Sequence, residues 1–398
     1  MLQPDVERAR ALTPGCEHVL HLNHAGASLL PQPVLDAVVA HVQREATIGG
    51  YEAGDDAVPA LDHTRQAVAR LIGAAPDEIA FVESATTGWG AALHAFELQA
   101  GDRILIGRSE YGSNAMTLLQ LARSTGCVVE LVDDDGSGQI DLEALDRALA
   151  SGPTALVSLV HVPTSSGLVN PAAGAGALCR AAGVPLVLDA CQSVGQLPID
   201  VDAIGCDILT ASGRKFLRGP RGAAFLYIRS SLLPRLEPRT LDLHGARWVA
   251  PDRFELEPTA LRFEQFDASI AGRIGLGVAA DHALEWGLDA IAERNRHLAD
   301  GLRARLSEVP GVTVRDRGAQ LCAIVTFTID GVSPAEVTRQ LRAQGTNVRS
   351  ATAIFAQLDL GARGLDAVVR ASVHYITTDD ELDRFTDQVR ALAGVPAS

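Results

Sequence analysis

LTASGRKFLRGPRG, residues 209–222, is the stretch on which the reading of this chain turns. It begins inside an apolar, β-rich run, CDILTAS (206–212), and breaks at Ser212-Gly213-Arg214-Lys215 into a loop rich in glycine and proline. Gly213, Gly219 and Gly222 let the backbone turn tightly beside a ligand. Lys215 is the one lysine among 34 basic residues. Everywhere else arginine serves, and a guanidinium stays protonated and cannot attack a carbonyl. A primary amine can, once burial or neighbouring cations lower its pKa. Lys215 is therefore read as a chemical group at a strand end, not as part of a solvated basic turn.

The segments upstream supply companions. PLVLDACQ (185–192) places Asp189 at the end of another apolar run, where a carboxylate is costly unless paired. A protonated pyridine nitrogen would be such a partner, and the pair would keep the ring an electron sink. A helix-capping Asp is the plainer alternative. FVESATTGWG (81–90) runs from a strand end through small hydroxyl residues into a helical pattern. Thr86 and Thr87 fall at that helix's N-terminus, where free N–H groups and the dipole favour a phosphate. SEYGSN (109–114) sets Tyr111 in a loop, where its ring could stack on a flat cofactor or simply face solvent.

Seven short runs carry the strand signal: IAFVE (79–83), RILIG (103–107), VVELV (128–132), ALVSLVH (155–161), PLVLDA (185–190), CDILTAS (206–212) and AAFLYI (223–228). They are apolar on both parities, as strands covered on both faces must be. Helical patterns near 87–98, 113–124 and 171–182 lie between them. The alternation predicts an α/β domain around a mainly parallel, seven-stranded sheet, with ligands at the strands' carboxyl ends. Residues 230–268, with several prolines, read as a connector plus active-site loops. One long helical pattern then runs to Pro310, followed by a smaller α+β unit with helices near 333–344 and 378–393. A length of 398 residues favours two domains. The expected division is 17–268 for the large domain and 269–398 for the small one, with 1–16 packing on the latter.

Composition excludes other classes. A formal charge of −15 argues against a nucleic-acid partner, which would need clustered cations. No apolar run approaches the roughly 20 residues of a membrane span. The N-terminal stretch has early acidic residues and no apolar core of a secretory signal. Six scattered cysteines without metal spacing suit a reducing cytoplasm. GAGALC (174–179) lacks the third glycine of a dinucleotide fingerprint. His18, His21 and His24 are evenly spaced, but in an extended segment His21 would face away from the other two, so no metal site is expected. His24 is placed instead in the substrate pocket.

SGRKFLRGPRG, with LVLDACQSVGQ and SATT before it, resembles the class V aminotransferase family of fold type I enzymes that use pyridoxal 5′-phosphate (PLP). The resemblance spans about residues 20–390, with the order of motifs intact. It implies Lys215 as the Schiff-base lysine, Asp189 on the pyridine nitrogen and Gln192 on the ring's 3-oxygen. It implies Thr86, Thr87 and Ser212 on the phosphate with Arg214 close by, Tyr111 stacked on the ring and Thr164 near the ring oxygen. Arg370, in VVRASVHYITT, matches the arginine that takes the substrate's α-carboxylate, and His374 falls with His24 in the substrate region. A homodimer is implied as well.

Two departures matter. The loop VRSATAIFAQLDLGARG (348–364) contains no cysteine, so the persulfide chemistry of a cysteine desulfurase lacks its thiol. FEQFDASIAG (263–272) carries Asp267 near the position where members reach a neighbouring subunit's phosphate through threonine, so that contact is not assigned. HLNHAGAS (21–28), REATIGGYEA (44–53) and SEYGSN resemble hercynylcysteine sulfoxide lyases, and Ser372 with His374 is shared with these and with isopenicillin N epimerases. The expectation is a C–S β-lyase acting on a cysteine conjugate or its sulfoxide. An epimerase, a class V aminotransferase and a catalytically silent PLP binder are the alternatives.

Overall fold

A computed structural model describes residues 5–395. All seven apolar runs form strands of one sheet: Ile79–Val82 (β1), Arg103–Ile106 (β2), Val128–Leu131 (β3), Thr154–Val160 (β4), Leu186–Asp189 (β5), Ile208–Ser212 (β6) and Ala224–Ile228 (β7). Their order is β1-β7-β6-β5-β4-β2-β3. Neighbours pair parallel except at β7, which runs antiparallel to both β1 and β6. The reason lies in the connection. No helix separates β6 from β7, so the chain cannot cross over the sheet and must turn back beside β6. That turn is the loop holding Lys215.

Alternate residues of the strands build two cores. One face buries Phe81, Leu105, Leu188, Leu209 and Phe225 against helices that include Gly50–Ile72 and Ile270–Trp286. The other buries Ala80, Ile104, Val187, Ile208 and Leu226 against Trp89, Leu93, Leu118 and Leu121 of helices Ala85–His94 and Gly112–Thr125. β3 departs from the two-sided pattern: Val128 and Leu131 are exposed, because β3 closes the sheet as its edge.

The long helical pattern is two helices, Ile270–Trp286 and Leu288–Ser307, broken at Gly287, whose φ of 81° suits glycine alone. The break separates two packing partners. Leu276, Ala279, Ala280 and Ala283 belong to the sheet's core, whereas Leu298, Leu302 and Leu306 join Ile324, Phe327, Val369 and Phe385 in a separate one. The small domain thus takes its core from the second helix, Leu288–Ser307, through Leu298, Leu302 and Leu306, and not from Ile270–Trp286. It also claims more of the N-terminal stretch than expected: Leu20 and Leu22 sit in its core, and Leu20–His21 pairs with Thr346–Asn347. Its sheet is antiparallel, formed by Val312–Val314 (β8), Ile324–Ile329 (β9), Arg349–Thr352 (β10) and Ala367–Ser372 (β11) in the order β8-β9-β11-β10. The expected connector at 230–268 contains an antiparallel hairpin, Ala246–Ala250 with Arg253–Leu256, from which Trp248 and Phe254 project into solvent. No helix is long and apolar enough to cross a membrane, and no group of three metal-ligating side chains forms among the described residues.

The loop between β6 and β7 is fixed from several sides. Arg218 adopts φ 63°, a conformation rare outside glycine, with its N–H bonded to the Lys215 carbonyl at 2.9 Å. Its buried guanidinium donates to Thr13 Oγ1 and Tyr375 Oη, both at 2.6 Å, and to the Leu29 carbonyl at 3.1 Å. Gly213 fills a place where a Cβ would lie 2.9 Å from the Ala223 carbonyl oxygen.

Candidate active site

The carboxyl ends of β1, β4, β5 and β6 converge on one cavity, lined by Ser84, Thr86, Tyr111, Asn114, Thr164, Asp189, Cys191, Gln192, Ser212, Arg214 and Lys215 among others. This is where ligands of such sheets bind. A second hollow adjoins it and shares Tyr111, Thr164, Arg214 and Lys215, while the small domain adds Arg349, Ser350, Phe355 and Arg370.

Lys215 stands half-buried at the junction of the two. Burial holds its amine below the ordinary lysine pKa; Cys191 and Asp189 oppose that, and the guanidinia of Arg214 and Arg370 add to it. Asp189 closes β5. Its Oδ1 accepts from the Cys191 N–H and its Oδ2 from Asn114 Nδ2, each at 2.9 Å. The same Asn114 amide donates to Glu110 Oε1 at 2.9 Å, and Ser158 Oγ donates to Glu110 Oε2 at 2.9 Å. Burial pushes Glu110 up to about 7, against the hydrogen bonds from Asn114, Tyr111 and Ser158. Glu110 and Asn114 were missed by sequence reasoning, although SEYGSN holds them four residues apart at a helix start, the spacing that stacks two side chains on one face.

At the other end, Ser84 caps helix Ala85–His94 by accepting from the Thr87 N–H at 3.1 Å. Thr86 lies at the cavity, across from Ser212 and Arg214. Thr87 does not: its hydroxyl bonds Ser84 Oγ at 2.9 Å and it lines a different crevice, with Phe81, Gly90 and Phe263. Ser84 rather than Thr87 lines the cavity there, and its signal was the Ser cap itself. Gln192 donates to the Ala25 carbonyl at 3.0 Å and to Thr164 Oγ1 at 3.4 Å, and leaves its buried Oε1 without a partner.

Arg370 projects from β11 with 5% exposure. Its Nη1 donates to Thr164 Oγ1 at 2.5 Å and to the Thr164 carbonyl at 3.1 Å, its Nη2 reaches Asn23 Oδ1 at 3.4 Å, and its buried Nε has no partner. Burial lowers its pKa to about 10, helped by Arg349 and Arg214. A buried guanidinium with only neutral partners is a receptor for an anion.

The two histidines expected at the substrate are elsewhere. His24 is fully buried, with its ring 4.8 Å from that of His21 and 5.1 Å from that of His374, because the chain turns at residues 24–26 and brings His21 onto it. His374 is also fully buried, and burial drops its pKa to about 3. The neutral ring accepts the Tyr375 N–H at Nδ1 (3.0 Å) and donates from Nε2 to the carbonyl of Phe216 (2.7 Å), the residue after Lys215. Neither histidine is among the residues lining the cavity.

The sequence profile of the class V aminotransferases matches residues 20–385. The chain belongs to the class V aminotransferase family. This class V enzyme is 34% identical over 380 residues to the probable hercynylcysteine sulfoxide lyase of Mycobacterium tuberculosis, covering 94% of this chain and 90% of the other. It is 29% identical over 385 residues to the probable cysteine desulfurase of Methanothermobacter thermautotrophicus, covering 95% and 96%. Its backbone matches the apo cysteine desulfurase of Thermococcus onnurineus NA1 with a TM-score of 0.90 at 26% identity, over 99% of each chain. The fold is thus that of the fold type I enzymes, and the cofactor of this class V enzyme is PLP. The cavity fits the cofactor: it offers the one primary amine, a buried carboxylate, an unspent amide oxygen on Gln192, and hydroxyls at a helix N-terminus together with Arg214.

Proposed function

We propose that this class V enzyme is a C–S β-lyase acting on a cysteine conjugate or its sulfoxide. One observation carries the reading. The segment 348–364, which enters the substrate hollow through Arg349, Ser350, Ala351 and Phe355, brings a guanidinium, a hydroxyl and an aromatic ring but no thiol. Cys191, the cysteine on the cavity wall, lies beside Asp189, and burial pushes its thiol up to about 12, far from a thiolate. Sulfur therefore leaves with its own substituent rather than passing to the protein.

When bound, PLP supplies an electron sink that lets a proton leave the substrate's α-carbon. Asp189 would hold the proton on the pyridine nitrogen, and Asn114 fixes the carboxylate that would do so. Gln192 and Thr164 would meet the ring oxygen, Tyr111 would pack on the ring, and Ser84, Thr86, Ser212 and Arg214 would hold the phosphate. Arg370 takes the α-carboxylate. The Lys215 amine, whose pKa is lowered by its enclosure, removes the α-proton as general base. The freed electron pair forms the Cα–Cβ double bond, and the Cβ–S bond breaks with its pair on sulfur. The released enamine hydrolyses to pyruvate and ammonia. A homodimer belongs to the same reading; the exposed rings of Trp248, Phe254 and Phe266 are apolar surface that a second copy would cover.

The test is a product assay on the purified yellow enzyme with cysteine conjugates and their sulfoxides. Equal amounts of pyruvate, ammonia and the sulfur fragment are expected. Deuterium exchange at the α-carbon with the sulfur substituent retained would replace the lyase by an epimerase. Alanine as product would restore the desulfurase.

A further inference from the structure

The substrate hollow holds more positive charge than the proposed chemistry uses. Arg349 of β10 and Arg370 of β11 stand directly opposite each other in the antiparallel register. Residues so paired point to the same face with Cβ atoms about 5 Å apart, and like charges there repel. Both line the same hollow, together with Arg214, Lys215, Tyr111, Thr164 and Phe355, and its lining contains no aspartate or glutamate. The Arg349 side chain makes no ion pair or hydrogen bond with any described residue, whereas other arginines of the chain find carboxylates, as Arg303 does with Asp316 and Arg65 with Glu264.

The anions already assigned leave one cation over. The cofactor phosphate falls to Arg214, and the α-carboxylate to the buried Arg370. Arg349 is the exposed member of the pair and stands at the solvent side of the hollow. A cross-strand repulsion facing a cavity is relieved when a ligand brings a negative group between the two guanidinia or beyond them, and arginine is well suited to receive a carboxylate in two parallel hydrogen bonds.

Resting on the lyase reading, we propose that Arg349 is a specificity-determining residue that binds a second anionic group at the far end of the substrate's sulfur substituent. The substrate class is thereby narrowed to cysteine conjugates that carry a carboxylate or comparable oxyanion beyond sulfur.

The test uses the holoenzyme and two readouts. The first is calorimetric binding of glutarate against butyrate, neither of which can react. Glutarate should bind roughly tenfold more tightly, the worth of one charge-assisted contact, and Arg349→Gln should remove that advantage while leaving butyrate unchanged. The second is kcat/KM for S-(2-carboxyethyl)cysteine sulfoxide against S-propylcysteine sulfoxide, with the same preference expected, lost in Arg349→Gln and partly restored in Arg349→Lys. An unchanged glutarate-to-butyrate ratio in Arg349→Gln overturns the proposal. If neither sulfoxide yields pyruvate but glutarate still binds through Arg349, the lyase reading fails and the anion site stands.

Discussion

Replacing Glu110 by glutamine tests the buried carboxylate chain behind the cofactor site. In the folded protein Glu110 is enclosed with Asp189 nearby, and burial lifts its pKa from 4.5 to about 7. That difference converts to about 3 kcal/mol between the two protonation states. The sign follows from linkage. Below pH 4.5 the group is protonated whether the chain is folded or not, and its contribution is fully present. From there to about pH 7 the unfolded chain releases a proton that the folded one keeps, so folding loses stability as pH rises, and above about pH 7 the whole cost is felt. Glutamine removes the titration without removing the contacts. Its oxygen can accept from Asn114 and the Tyr111 N–H as Oε1 does now, and its amide can donate to Ser158 Oγ. Glu110→Gln should therefore match the parent at pH 4.5 and exceed it at pH 8 by about 3 kcal/mol at most. Thermal unfolding of both apo-proteins across that range measures the gap. A gap that is constant with pH, or that shrinks as pH rises, would refute the reasoning.

Asp189→Asn should weaken PLP binding roughly 10- to 100-fold, the worth of a charged hydrogen bond, while the pairing of Asp189 with Val160 and Thr210 in the sheet keeps the backbone in place; titration of the apo-protein by cofactor absorbance would expose an unchanged affinity, which defeats the assignment. Gly176→Ala should lower the urea midpoint by the equivalent of about 1–3 kcal/mol or more, because its Cβ would lie 1.8 Å from the Ile204 carbonyl oxygen, a backbone atom that cannot swing away. A midpoint equal to the parent's would show that the helix can move off at little cost.

The strands of the large domain were legible because burial on both faces leaves an unbroken apolar run, and the run for β3 misled only where the sheet ends. The hairpin Ala246–Ala250/Arg253–Leu256 was not legible: most of its residues face solvent, so no alternation of apolar and polar marks it. The split of the long helical pattern into two helices was hidden for a different reason. The apolar period continues through Gly287 with no break in composition, and only the backbone angle there reveals that two helices serve two cores. Within the site, groups that end strands could be placed from sequence because topology gathers strand ends: Lys215, Asp189, Gln192, Ser212, Arg214, Thr164 and Thr86 all line one cavity. The contact between Asn114 and Asp189 joins residues 75 apart and has no local signature. His24 and His374 were misplaced because a histidine committed to neighbouring rings and backbone reads the same in sequence as one that faces a ligand.

Arg218 joins the turn after Lys215 to Thr13, Leu29 and Tyr375, so three remote parts of the polypeptide meet at the hinge of the reactive amine. The stretch around Thr13 lies well before the first strand of the large sheet, yet it acts as a clasp on the chemistry. A fusion partner or a proteolytic nick at that end is consequently not neutral ground. Loosening the clasp would free the pivot from one side, and the damage would register at the yellow chromophore before it registered in the overall shape.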